Sequence, residues 1–132
     1  RGLLGDVFYY KGAATTNRQD RDIFFRSAVQ NYEAAYYLAP SDLGARYRYH
    51  VAVGRSFEAL HNLSEAIDAY QGALSTSPPA DRWKHRETLA RLYASAKNKA
   101  KSIEHIISAI ELAPADKRSD LIKYREELLS KP

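Results

Sequence analysis

One spacing recurs along this chain and constrains its fold more than any other property. The segment Ala66-x3-Tyr70-x2-Ala73-x4-Pro78 returns as Ser102-x3-Ile106-x2-Ala109-x4-Pro114, and stands earlier as Ala28-x3-Tyr32-x2-Ala35-x4-Pro40. Upstream of the two later copies lie Val53-Gly54-x2-Phe57 and Leu89-Ala90-x2-Tyr93, and Leu4-Gly5-x2-Phe8 opens a weaker copy. Self-similarity at a period of about 20 to 50 residues marks a repeat architecture, in which neighbouring units bury what one unit alone would expose. The residue types fit helix packing. Small residues at a fixed point let two helices approach closely, and aromatic or aliphatic residues three or four positions away fill the neighbouring groove. Gly54 and Ala90 serve the first helix of a pair, and Ala66, Ala73, Ser102 and Ala109 the second. Each pair ends at a proline, which has no N–H to donate and pushes the preceding residue away from helical angles.

The pattern predicts helices over about 3–14, from Asn17 as N-cap to about 38, from Ser41 or Asp42 to about 60, 63–76, from after Asp81, 99–112 and 116–129. The third looks one turn longer than usual. In the last, Leu121, Tyr124 and Leu128 form a stripe toward the preceding repeat while Lys117, Lys123, Glu126 and Glu127 face water, as the end of a stack requires.

The spacing resembles the tetratricopeptide repeat (TPR) family, whose Trp, Leu-Gly, Tyr, Ala, Phe, Ala, Pro pattern is met best by residues 50–78, with His50 in the Trp position. The copy ending at Pro114 has Arg86 there and Ser102 at the first Ala of the second helix. The copy ending at Pro40 carries eleven extra residues between Gly5 and Ala28. The resemblance implies an all-α fold: a right-handed superhelix of about three TPR-like helix pairs plus a C-terminal capping helix. On this reading 1–132 is a single domain, with a deviant repeat at about 3–40, repeats at about 42–78 and 82–114, and the cap at about 116–130. The groove of such a stack maps onto Arg48, Val51, Arg55 and Glu58, and onto Lys84, Glu87, Arg91 and Ala94. Asp6, Tyr9 and Tyr10 are the counterparts in the first repeat. The family's clamp for C-terminal carboxylates does not transfer, because Arg55 and Arg91 stand where it uses Asn.

Composition excludes other classes. With 45% hydrophobic and 27% charged residues the chain is globular in type, and zero Cys removes disulfides, thiolate metal sites and cysteine nucleophiles. The longest uninterrupted apolar run, 34–39, is far short of the roughly 18 residues of a membrane helix. No catalytic signature is present: there is no His-Glu-x-x-His, phosphate loop, Gly-x-Ser-x-Gly or Gly-x-Gly-x-x-Gly. His50, His61, His85 and His105 stand singly, and Asp20-x-Asp22 lacks the Gly and Glu of a calcium loop. Neither enzymatic activity, a catalytic or metal site, nor a cofactor is expected. Asn62-Leu63-Ser64 is a glycosylation sequon by form, in a turn between packed helices. The chain starts at Arg1 and lacks Met, which suggests a processed product or a piece of a longer protein, and the compartment stays open.

Charge is unevenly placed. The formal net charge is +4, and residues 82–101 carry Arg82, Lys84, Arg86, Arg91, Lys97, Lys99 and Lys101 against only Glu87. Clusters at Arg46–His50 and Arg82–Arg86 occupy matching places at helix starts, where cations oppose the macrodipole. The leading expectation is a protein-interaction scaffold in which Arg48, Arg55, Lys84 and Arg91 attract a partner protein or acidic peptide, with Tyr47, Trp83 and Tyr9 as aromatic contacts. A merely solvated basic face would carry the same residues. Two further readings stand beside it. One is nucleic-acid or anionic-polymer binding through 82–101 with Trp83 and Tyr93. The other is an appendage of a bacterial membrane protein of surface-polysaccharide assembly, with no membrane insertion of this segment.

Overall fold

The computed structural model describes residues 2–38 and 41–132, and within them the chain forms seven α-helices and no strand. These are α1 (Gly2–Ala14), α2 (Arg18–Leu38), α3 (Leu43–Ala59), α4 (Leu63–Thr76), α5 (Arg82–Ser95), α6 (Lys99–Leu112) and α7 (Ala115–Ser130), with a single 3-10 turn at Pro79–Asp81. The all-α expectation of helix pairs followed by a terminal helix holds, and α3 at 17 residues is longer than α5 at 14. Pro40, the proline of the first copy, lies outside the described residues. The chain divides into two compact units, residues 1–76 with α1 to α4 and residues 77–132 with α5 to α7.

Asparagine and aspartate start most of the helices. The side-chain oxygens of Asn17, Asp42, Asn62 and Asn98 accept the backbone N–H three residues on, at 3.1 to 3.3 Å, satisfying donors that have no partner inside the helix. The turns inside the second and third pairs are alike. His61 and Lys97 adopt left-handed angles (φ 59° and 62°), and the N–H of the next residue reaches back along the helix, Asn62 to Phe57 O and Asn98 to Tyr93 O. This closes a helix and places an asparagine to cap the next one. The sequon residue Asn62 is therefore a helix cap.

The recurring small residues do what their spacing predicted. Ala28, Ala66, Ala73, Ala90, Ser102 and Ala109 are completely buried. Ser102, in an Ala position, has a buried hydroxyl that donates to Ala90 O at 2.7 Å. Glycine permits a closer approach: a Cβ on Gly5 would lie 2.7 Å from the Tyr32 ring, and one on Gly54 would lie 2.9 Å from the Tyr70 ring. In the third pair Ala90 and Ile106 occupy the matching positions, so the smaller partner tolerates a methyl group.

The eleven extra residues of the first pair lengthen its hairpin instead of looping out. Gly2 meets Ala35, Gly5 meets Tyr32 and Gly12 meets Phe25, so each step up α1 is matched by an equal step down α2. Phe8 stacks on Phe24, and Tyr9 packs on Phe25, to fill the sides. In the second unit α7 buries Leu121 and Leu128 against Ala90, Ile106, Ala109 and Ala113, with Tyr124 half-buried beside them; Lys117, Lys123, Glu126 and Glu127 face water. Exposed apolar side chains remain on α1 at Leu3, Leu4 and Val7, whereas Phe8 is half-buried.

Gly54→Ala is expected to lower stability by about 1 to 3 kcal/mol through overpacking. Tyr70→Ile alone should also destabilise, because it opens a void and removes a hydrogen bond to Glu58. The double substitution rebuilds the Ala90–Ile106 arrangement, so chemical denaturation should show a cost below the sum of the single costs by roughly 1 kcal/mol. Strict additivity would show that the ring does not require the glycine.

Candidate functional site

In the first unit α1, α2 and α3 enclose a cleft of about 490 Å³. Its walls come from Gly2 and Asp6 of α1, Tyr32, Ala35 and Tyr36 of α2, and Ala45, Tyr47, Arg48, Tyr49, Val51, Ala52 and Arg55 of α3. A second recess of about 410 Å³ is lined by Tyr9, Arg55, Glu58 and Ala59, which puts Arg55 at the boundary of both. Six residues singled out from the sequence, Tyr9, Tyr47, Arg48, Val51, Arg55 and Glu58, thus line neighbouring concavities, and so does Asp6. Tyr10 points outward, with its ring edge against Tyr9.

Tyr36 and Tyr49 are among the cleft residues that sequence reasoning missed. Their rings stack at 4.5 Å with an interplanar angle of 27° and form one aromatic wall. The resemblance placed the groove on first helices only, whereas Tyr36 belongs to the second helix of its pair. A signal was present in Tyr32 and Tyr36, four residues apart and so on one face of α2.

The carboxylates near the cleft are held by tyrosines. Tyr32 donates to Asp6 Oδ1 at 2.6 Å, and Tyr70 to Glu58 Oε1 at 3.2 Å. Burial first, and then the adjacent carboxylate, raises both phenols well above the ordinary tyrosine value. Tyr49 is pushed up to about 12 by burial and by Glu33, so all three stay protonated and can donate at any physiological pH. Arg55 lies over the Tyr9 ring at 4.8 Å, a cation–π contact. Among the described residues neither Arg48 nor Arg55 forms an ion pair.

The second unit places its groove candidates differently. Lys84 pairs with Asp81 at 3.5 Å, and Arg91 pairs with Glu87 at 3.0 Å while its guanidinium covers the Tyr124 ring at 4.5 Å. Trp83 is half-buried against the core formed with α6 and α7, and Ala94 packs there too. Arg86 Nη1 lies 3.1 Å from His105 Nδ1, and Lys101 approaches the Tyr93 ring. Much of the basic 82–101 stretch is thus engaged within its own unit.

Three histidines are embedded in these helix interfaces. His50 touches Tyr36 and Tyr49 and lies where a Cβ on Gly72 would meet it at 2.6 Å. His105 stacks on Tyr93 at 5.4 Å, and it must be neutral with a free Nδ1 lone pair, because Arg86 can only donate. Burial lowers the pKa of His50, His85 and His105, helped respectively by Arg46, by Lys84 against Asp81, and by Arg86 and Lys101 against Glu104. Each titrates below the ordinary value of 6.5 when folded, so the unfolded chain takes up protons first as pH falls. Stability is therefore expected to hold above neutral pH and to drop as pH falls through about 6.5. Urea midpoints at pH 7.5, 6 and 5 check this, and His105→Gln, which keeps an acceptor for Arg86, should shrink the drop.

Among the described residues no group of three or more His, Asp or Glu could hold a metal ion, and no helix is long and apolar enough to cross a membrane.

Comparison with known proteins agrees with this architecture. Residues 87–116 match the tetratricopeptide repeat, which covers most of α5 and all of α6. The crystal structure of a thermophilic TPR protein from Thermus thermophilus superposes with a TM-score of 0.74 at 20% identity, over 96% of this chain and 61% of that one. This chain therefore spans about three-fifths of the length of that relative. No curated protein matches the sequence. The chain has the helical-repeat fold of tetratricopeptide-repeat proteins, as the spacing implied.

Proposed function

We propose that this tetratricopeptide-repeat chain is a non-enzymatic binding module that holds an acidic segment of a partner protein in the cleft between α1, α2 and α3. The observation that carries the reading is the contrast between two pairs of cations. Arg48 and Arg55 stand seven residues apart on α3, line the cleft and form no ion pair among the described residues; Lys84 and Arg91 have the same spacing on α5 and are both paired. Guanidiniums without an ion pair beside apolar walls can each give a carboxylate a bidentate hydrogen bond, and the surrounding tyrosines add flat apolar contact. Aromatic side chains with arginine also make up the usual composition of energetically dominant contact points. The first-unit arginines therefore form the primary site, with Tyr9, Tyr47, Val51 and Glu58 around them. Lys84, Glu87, Arg91 and Trp83 take structural roles in α5. The nucleic-acid alternative loses support on the same ground, because Trp83 and Tyr93 are packed and several cations of 82–101 are already engaged.

Arg48→Glu with Arg55→Glu should weaken binding of an acidic partner segment by tenfold or more, on the order of 1.4 kcal/mol or above. Lys84→Glu with Arg91→Glu should leave it within about twofold. Raising the salt from about 50 to about 500 mM should weaken binding to the unmodified chain, since the contacts are partly exposed. Equal sensitivity of binding to the two double substitutions, or indifference to salt, would count against this site.

A further inference from the structure

The first-unit cleft has a measurable repeat of its own, and that repeat limits which chain can lie in it. Arg48 and Arg55 are two helical turns apart on α3, about 10 Å along the axis at 1.5 Å per residue. Between them the wall is apolar, made by Val51 and Ala52 of α3 with Ala35 of α2, and the stacked pair Tyr36–Tyr49 stands beside it. An occupant that follows the register of the two arginine positions presents two carboxylates on one face at a comparable spacing of about 10 Å.

The backbone conformations open to a bound segment differ in what they offer. In a β-strand, side chains on one face recur every second residue, at about 6.7 or 13 Å. In an α-helix, positions i and i+3 are only about 4.5 Å apart along the axis, so the required separation takes i and i+7. In a polyproline II helix, with three residues per turn and a 3.1 Å rise, positions i and i+3 lie on one face about 9 Å apart. That is the closest match among short segments, and aromatic-lined grooves suit this conformation because it is already ordered before it binds and its ridges pack between rings. Asp6 adds a restriction. It sits in the α1 wall with its carboxylate tied to Tyr32, and so repels a third acidic side chain on that side.

We propose that the occupant of the α1–α3 cleft is an acidic, proline-containing segment in polyproline II conformation, whose carboxylates at positions i and i+3 are read by Arg48 and Arg55. This rests on the partner-binding reading above and goes further, in naming the conformation and the spacing of what is bound.

The test uses the whole chain and three synthetic peptides of identical composition, a Pro-rich host with two glutamates at i and i+1, i and i+3, or i and i+6. Fluorescence anisotropy gives affinity, and amide chemical shifts report which helix is touched. The i and i+3 peptide should bind about fivefold more tightly than its isomers. That preference should vanish in Arg48→Gln and in Arg55→Gln, while circular dichroism shows that both variants keep their helices. Replacing the prolines of the best peptide by glycine should weaken it severalfold, and Asp6→Asn should tighten it. If all isomers bind alike and shift α3, the spacing inference is overturned and partner binding through the cleft stands. If the glycine version binds as well as the proline version, the conformational part is overturned. If no peptide moves α3 and neither arginine variant changes anything, both readings fall.

Discussion

The contact on which the rest of the structure depends is that of an aromatic ring lying flat on a glycine of the neighbouring helix. Gly5 under Tyr32 and Gly54 under Tyr70 bring the two helices of a pair so close that no methyl group fits between them. That proximity sets the register of each hairpin. It buries the rings, and it carries their hydroxyls to Asp6 and Glu58 at the edge of the concavities. Packing and site geometry are thus two ends of the same side chain. In the third pair Ala90 and Ile106 replace this device, and Ile106 has no hydroxyl to hold a carboxylate in place.

Much of this was legible because helix packing is local in sequence. The small positions Ala28, Ala66, Ala73, Ala90 and Ala109, the capping residues Asn17 and Asp42 and the terminal stripe of α7 all follow from spacings of three, four and seven. Asn62 and Asn98 carry the same capping signal and could have been read by the same rule. The legible part of the site was α3, where Arg48, Val51, Arg55 and Glu58 share a face by period alone. Its aromatic wall was not legible, because Tyr36 arrives from a different helix and the stacking on Tyr49 is a tertiary contact.

Charge was the least transparent property. Residues 82–101 hold an excess of cations in the sequence, yet a count of charges does not say which ones are already engaged. Glu87 lies four residues before Arg91, a spacing that favours pairing on any helix, whereas the approach of Tyr124 to that guanidinium and the docking of Trp83 need α7 in place. The stretch that looked most available is largely occupied, and the less conspicuous Arg48 and Arg55 line the cleft with no ion pair among the described residues.

The glycine–tyrosine fit also bears on how such a chain can change over time. Because the glycine and its ring sit on opposite helices of the same pair, a whole pair can be duplicated or exchanged with its internal fit intact. A single helix exchanged between the third pair and either of the others would set Tyr against Ala, or Ile against Gly, and give a clash in one case and a void in the other. The smallest unit that inheritance can shuffle without damage is therefore the hairpin, and the two solutions present in this chain can drift apart only if both partners change together.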